Sequence, residues 1–203
     1  MVLHIPAYIC EVVEQIAFLA REDKKIDRRS GVSQRLPISV LENVISNAER
    51  RALAAGENEA VPRMVDVYAA LPSITGKIEL EYEGELKGGD HVARELVRSA
   101  IGRIFTKHFD GVNFNPVVKW FDLGGSVQLD ESVDSASMVR QLDQIQGLLE
   151  KTGTLGVREN ASDALRASAG ETILEGLWAH RRISRSEERV FGAEEKRRAA
   201  VVD

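Results

Sequence analysis

The stretch DHVARELVRSAIGRIFTKH, Asp90 to His108, decides the fold class. Ala93, Leu96, Val97, Ala100, Ile101, Ile104 and Phe105 recur three and four residues apart, which lines one face of an α-helix with an unbroken apolar stripe. Asp90 suits the N-cap, where a carboxylate accepts a hydrogen bond from a first-turn N–H. Just upstream, Lys87-Gly88-Gly89-Asp90 breaks the preceding segment and marks the best boundary in the chain. The expected organisation is a helical region over 1–88, a second helical region with short strands over 89–182, and a charged, mobile tail over 183–203.

Towards the N-terminus, Ile9, Val12, Val13, Ile16, Leu19 and Ala20 put another amphipathic helix over Ile5 to Asp23. A polar, basic loop from Asp23 to Gly31 leads to a helix ending near Ala55, with Leu41, Val44, Ile45, Ala48 and Ala52 inward. Its start has two readings. Ser39 with Glu42 fits a capping box, while Ser33 would cap an earlier start with Pro37 held in the first turn. Gly56 is a natural stop. Pro62 to Leu71 reads as a short helix with Val65, Tyr68 and Ala69 inward, and Lys77 to Glu83 alternates strictly, as a strand does.

Towards the C-terminus, Val117 to Leu123 and Ser126 to Leu129 read as two short strands about Gly124-Gly125. Met138, Leu142, Ile145 and Leu149 repeat like a coiled-coil seam. Asn160 to His180 reads as a last helix, apolar at Leu165, Ile173, Leu174, Leu177 and Trp178. The fold class is therefore mainly α with a small β element, a helical bundle followed by a second helical unit.

Composition agrees. Of 203 residues, 43% are hydrophobic, 29% charged and only 5% aromatic, which fits helix-on-helix packing better than a β-sandwich. A net charge of −5 argues against a dedicated nucleic-acid binder. The single cysteine, Cys10, excludes an intramolecular disulfide and reads as an inert helix residue. No run is apolar enough for a membrane span, so the expected location is cytoplasmic.

Local motifs for chemistry are sparse. His4, His91, His108 and His180 form no metal-ligand spacing. Glu79, Glu81 and Glu83 would share one strand face, which is best read as solvated. No P-loop is present, and Val127 to Glu131 imitates an ATPase Asp-Glu strand only loosely. One short stretch stands out: Gly31-Val32-Ser33-Gln34-Arg35. A glycine turn, a capping serine and an arginine at a helix start together favour an oxyanion, through the helix dipole and bidentate guanidinium bonds.

IPAYICEVVEQIAFLARE (5–22), RSGVSQRLPISVLENVISNAERRAL (29–53) and LPSITGKIELEYEGE (71–85) together resemble the region that follows the ATPase core in magnesium chelatase subunit I-like AAA+ proteins. WFDLGG (120–125) and LEGLWAHRRISRS (174–186) fit the same bacterial group. GVSQR is similar to the sensor-2 motif of that family. The resemblance implies a lid-type helical bundle, in which Arg35 reaches the γ-phosphate of ATP, Ser33 caps and Gly31 turns. It implies ATP and Mg²⁺ as cofactors of the complete protein, none bound by this chain alone, and a homo-oligomeric ring. The family's P-loop, Asp-Glu strand, first sensor and arginine finger would lie before Met1, in the same longer chain or a separate core subunit. This chain alone is expected not to hydrolyse ATP.

Two other readings are available from the residues. The Met138 to Leu149 seam and the helix with Leu174, Leu177 and Trp178 would suit a non-enzymatic helical interaction module. Arg181, Arg182, Arg185, Arg189 and Lys196 to Arg198 would suit nucleic acid, but interleaved glutamates favour a solvated tail. The expected partners are therefore proteins, with no nucleic acid and no membrane.

Overall fold

The computed structural model describes residues 1–27, 29 and 32–194. Pro6, with φ −64° and no N–H, leads into α1 (Ala7–Glu22), whose stripe from Tyr8 to Ala20 is buried. α2 (Leu36–Ala54) carries Pro37 in its first turn and buries Leu36, Val40, Val44, Ala48 and Ala52. Two short helices follow, α3 (Met64–Ala69) and α4 (Leu71–Thr75), then α5 (Tyr82–Lys87) and the long α6 (Gly89–Phe109). The remaining helices are α7 (Asn115–Asp122), α8 (Ser135–Asp143) and α9 (Asp163–Ala179), with a 3₁₀ segment at Leu149–Leu155. β1 (Val2–Leu3) pairs in parallel with β2 (Glu59–Ala60). A small antiparallel sheet has the order β3 (Val127–Gln128), β5 (Val190–Gly192), β4 (Ser184–Arg185). The molecule is mainly helical with a small sheet element.

α6 is the spine. Its residues up to Ile104 join α1, α2 and α4 in one buried cluster, and Phe105 and Phe109 open a second with α7, α8 and α9. The seam between the clusters thus lies within α6, not in the glycine patch at 87–90. Phe105, Phe109 and Phe114 stack within about one ring of each other, at centroid distances of 4.8, 5.2 and 5.3 Å.

Several local expectations are corrected. The alternating stretch Lys77–Glu83 is not a strand: it forms a single bridge, Leu80 to Ile26, and then turns into α5 with Tyr82 74% exposed. A single bridge, flanked by the Asp27 N–H on the Glu79 carbonyl and the Glu81 N–H on the Lys25 carbonyl, is too little to extend a strand, and Gly84 packs so closely on the Lys25 carbonyl that a Cβ would clash with it. Val117–Leu123 is α7, because Val117, Val118 and Phe121 fall on one helical face and Pro116 is accommodated in the first turn. β3 finds its partner at the far end of the chain instead. Asp90 does not cap α6; Gly88, at φ 86°, does, and the Asp90 carboxylate accepts from Arg94 Nε at 2.7 Å. α2 takes the earlier of the two starts, with Pro37 in its first turn, but its N-cap is Arg35 and no side chain caps it, so neither Ser33 nor Ser39 with Glu42 serves as the cap. Ala69 faces solvent.

The apolar seam does not offer a docking face. Met138 and Leu142 lie on α8, Ile145 and Leu149 beyond its end, and all belong to or pack on the second core, as do Leu174, Leu177 and Trp178. The expected tail is also corrected over its described part: 183–192 is a hairpin that buries Ile183 and Phe191 completely. Residues 195–203, including Lys196 to Arg198, lie outside the described residues.

Candidate functional site

Ser33, Gln34 and Arg35 form the turn that opens α2. The Ser33 carbonyl accepts the Leu36 N–H at 3.0 Å, and its hydroxyl oxygen accepts the Arg35 N–H at 3.2 Å. The helix then starts, with the Arg35 carbonyl taking the Ser39 N–H at 2.9 Å. Leu36 is fully buried and ties this turn to the core, while Arg35 stands exposed. The Arg35 guanidinium has no intramolecular partner among the described residues. Ser33 thus restrains the backbone on which Arg35 sits, rather than reaching into the first turn of the helix. Leu36 already uses its N–H and Pro37 has none, so recognition of an anion here falls chiefly to the guanidinium and the helix dipole. Gly31 lies outside the described residues.

The other sequence candidates disperse. His4 lies 3.5 Å from Glu59, His91 3.4 Å from Glu95 and His108 2.6 Å from Glu11, while His180 meets the Gly102 carbonyl at 3.0 Å. Among the described residues no cluster of three His, Cys, Asp or Glu side chains could hold a metal. Burial, then Glu14 nearby, pushes the Cys10 thiol up, away from a reactive thiolate.

The structure also builds a charged cluster that sequence reading missed. Glu171 and Glu175 lie one turn apart on α9, both completely buried. Arg63, 1% exposed, donates from Nε to Glu171 at 2.7 Å, and the Val65 N–H donates to the other oxygen at 2.8 Å. From the C-terminal hairpin, Arg185 donates to Glu175 at 2.6 Å and Arg189 donates to Glu171. Arg185 is sandwiched over Tyr68 and Trp178 at 4.6 and 4.5 Å. Beside this cluster, Arg51 holds Asp66 at 3.0 Å. Tyr8 donates to Ser168, which in turn donates to the Pro62 carbonyl at 2.6 Å.

Burial drives both glutamates towards the neutral form, but the outcomes differ. At Glu171 the Arg189 and Arg63 charges more than offset burial and hold the carboxyl well below the usual range. At Glu175 burial outweighs Arg185 and Arg189 and leaves the carboxyl raised. Arg63 Nη1 and Nη2 and Arg189 Nε and Nη1 are buried with no hydrogen-bond partner among the described residues. With both carboxylates inaccessible, no substrate reaches this cluster; it is a clasp joining the hairpin, α3 and α9. A signal for it did exist in the sequence: Ala167 to Leu177 is made of small and apolar residues with no charge except two glutamates, and a helix buried on every side has to pair them.

Among the described residues no helix is long and apolar enough to cross a membrane. No protein-family model matches the chain, and no curated protein or solved structure matches it significantly.

Proposed function

We propose that this chain is the lid and post-lid region of a magnesium chelatase-like AAA+ ATPase, and that Arg35 contributes a cation to a nucleotide site completed by a P-loop core. The observation that carries the reading is Arg35 itself: exposed, unpaired within the described residues, and rooted at the start of a 19-residue helix. ATP with Mg²⁺ supplies the phosphoanhydride and its counter-ion on the core side. Arg35 binds and orients the terminal phosphate and stabilises the charge that grows there during transfer. Leu36, Val40 and Val44 anchor α2 in the first buried cluster, so a pull on Arg35 moves the bundle as a unit. That is how hydrolysis would be coupled to lid movement in a homo-oligomeric ring.

The test is steady-state ATP hydrolysis by the ring assembled from this chain and its core, with and without Arg35→Ala. We expect hydrolysis to fall about ten- to a thousand-fold, as for other groups that stabilise transition-state charge. An unchanged rate in a correctly assembled ring would remove Arg35 from the mechanism. Failure of the chain to bind any such core would remove the proposal altogether.

A further inference from the structure

α1, α6 and the end of α9 enclose an open groove of about 770 Å³, within the roughly 300–1,000 Å³ typical of small-molecule sites. Its charged walls carry Lys25, Arg98, Arg103 and Arg181 against Glu22, Asp23 and Glu95. The carboxylates are already engaged. Lys25 lies 2.8 Å from Glu95 and 3.3 Å from Asp23, and Arg103 lies 3.3 Å from Glu22. Arg98 and Arg181 are left without a carboxylate among the described residues. Arg98 is fixed on the groove wall, 4.3 Å over the Trp178 ring and donating to the Trp178 carbonyl at 3.2 Å. His180, with its Nε2 3.0 Å from the Gly102 carbonyl, completes this end of the groove.

The backbone of Arg181 supplies an independent argument. Its φ is 56°, a left-handed conformation that favours glycine. It closes α9 in the usual way, with the Arg181 N–H on the Trp178 carbonyl and the Arg182 N–H on the Leu177 carbonyl, both at 2.9 Å. Nothing in that closure needs a side chain. The other non-glycine residue with positive φ among the described residues is Arg189, at 59°, and its guanidinium holds Glu171 and Glu175. Arg181 bears the same conformational penalty while exposed on the groove and with no side-chain partner among the described residues.

We infer that this groove binds an oxyanion group, phosphate or carboxylate, of a small ligand, recognised by Arg181 and Arg98. Arg35 does not line it, so the inference stands apart from the nucleotide role of Arg35.

Calorimetric titration and thermal melts with inorganic phosphate and with succinate, at ionic strength matched by chloride, test this. All samples carry Arg35→Ala, which removes that arginine as a second anion site. Arg181→Gly is the informative variant, because glycine is favoured at this φ and the fold is retained. Saturable binding of either anion with a raised Tm is expected, weakened tenfold or more by Arg181→Gly, whose own ligand-free Tm is equal or higher. Phosphate alone binding makes the ligand a phosphoryl compound, and succinate alone a carboxylic acid. Three results overturn the inference: responses no larger than that to chloride, undiminished binding by Arg181→Gly, or a lowered ligand-free Tm that makes Arg181 a structural residue.

Discussion

Glu171 and Glu175 are chemically identical, equally buried and one turn apart, yet they carry different electrostatic burdens. Glu171 accepts from Arg63, Arg189 and the Val65 N–H, whereas Glu175 relies chiefly on Arg185. Glu171→Gln therefore leaves the buried Arg63 guanidinium without its counter-charge and Arg189 with only the longer contact to Glu175, and should cost about 3–5 kcal/mol. Glu175→Gln should cost distinctly less, since burial already favours its neutral form; urea melts of both variants check the order. The pH dependence follows from the same two shifts. The lowered Glu171 contributes stability that is present above the unfolded value of about 4.3 and is lost as pH falls towards its folded value. The raised Glu175 has the opposite sign, contributing below about 4.3 and losing it as pH rises through its folded value. The urea midpoint should thus rise from neutral to mildly acidic pH, as Glu175 takes up its proton, and drop below about pH 4, as the contribution of Glu171 is lost. That acid limb should flatten in Glu171→Gln. A limb of equal depth in that variant would assign it to other carboxylates.

At the scale of elements, α6 and α9 cross through two glycines that behave differently. A Cβ at Gly176 would lie 2.1 Å from Phe105 Cδ2, inside the second core, whereas one at Gly102 would meet Ala179 Cβ at an ordinary 3.5 Å. Gly176→Ala should therefore lose stability, because overpacking by about 1–3 kcal/mol exceeds a helix-propensity gain of about 1 kcal/mol. Gly102→Ala should gain roughly 0.5–1 kcal/mol from the same propensity with no clash. Denaturant melts that rank Gly102→Ala above wild type and Gly176→Ala below it would establish this crossing. The C-terminal hairpin is held at its turn by an arginine in a left-handed conformation, Arg189. Arg189→Gly relieves that backbone strain but frees Glu171 and Glu175 from their shared cation, so the net effect is a loss of stability, opposite in sign to that of Arg181→Gly.

For the whole molecule, the two buried clusters are fastened by more than α6. The Arg63–Glu171 and Tyr8–Ser168 bonds span 108 and 160 positions of sequence and tie the first helices to α9. Each break would leave a buried polar group unmatched, so neither half opens cheaply by itself. The chain should unfold as one unit. Trp120 and Trp178 both pack on the second cluster, while helical ellipticity reports on both, so fluorescence and far-UV circular dichroism should trace one transition in urea. Separate midpoints would show that the clusters unfold independently.

What could be read from the chain alone is local. The stripes of α1 and α6 follow from side-chain spacing, and a helix carries its hydrogen bonds within itself, so its pattern needs no partner to be legible. The early start of α2 was legible for the same reason, because a helix start is written in neighbouring residues. Elements that need a distant partner were not. Lys77 to Glu83 has the alternation of a strand but no second strand beside it, and Val127-Gln128 meets its partner only where the chain returns at Val190. The charged clasp joins Arg63, Glu171 and Arg189, residues that no local window contains together. Periodicity determined which segments are helical and which face turns inward. Tertiary packing alone decided that basic residues expected in a solvated tail would become the buried counter-ions of α9, because a carboxylate stripped of water in the core is tolerable only beside a cation, wherever in the chain that cation lies.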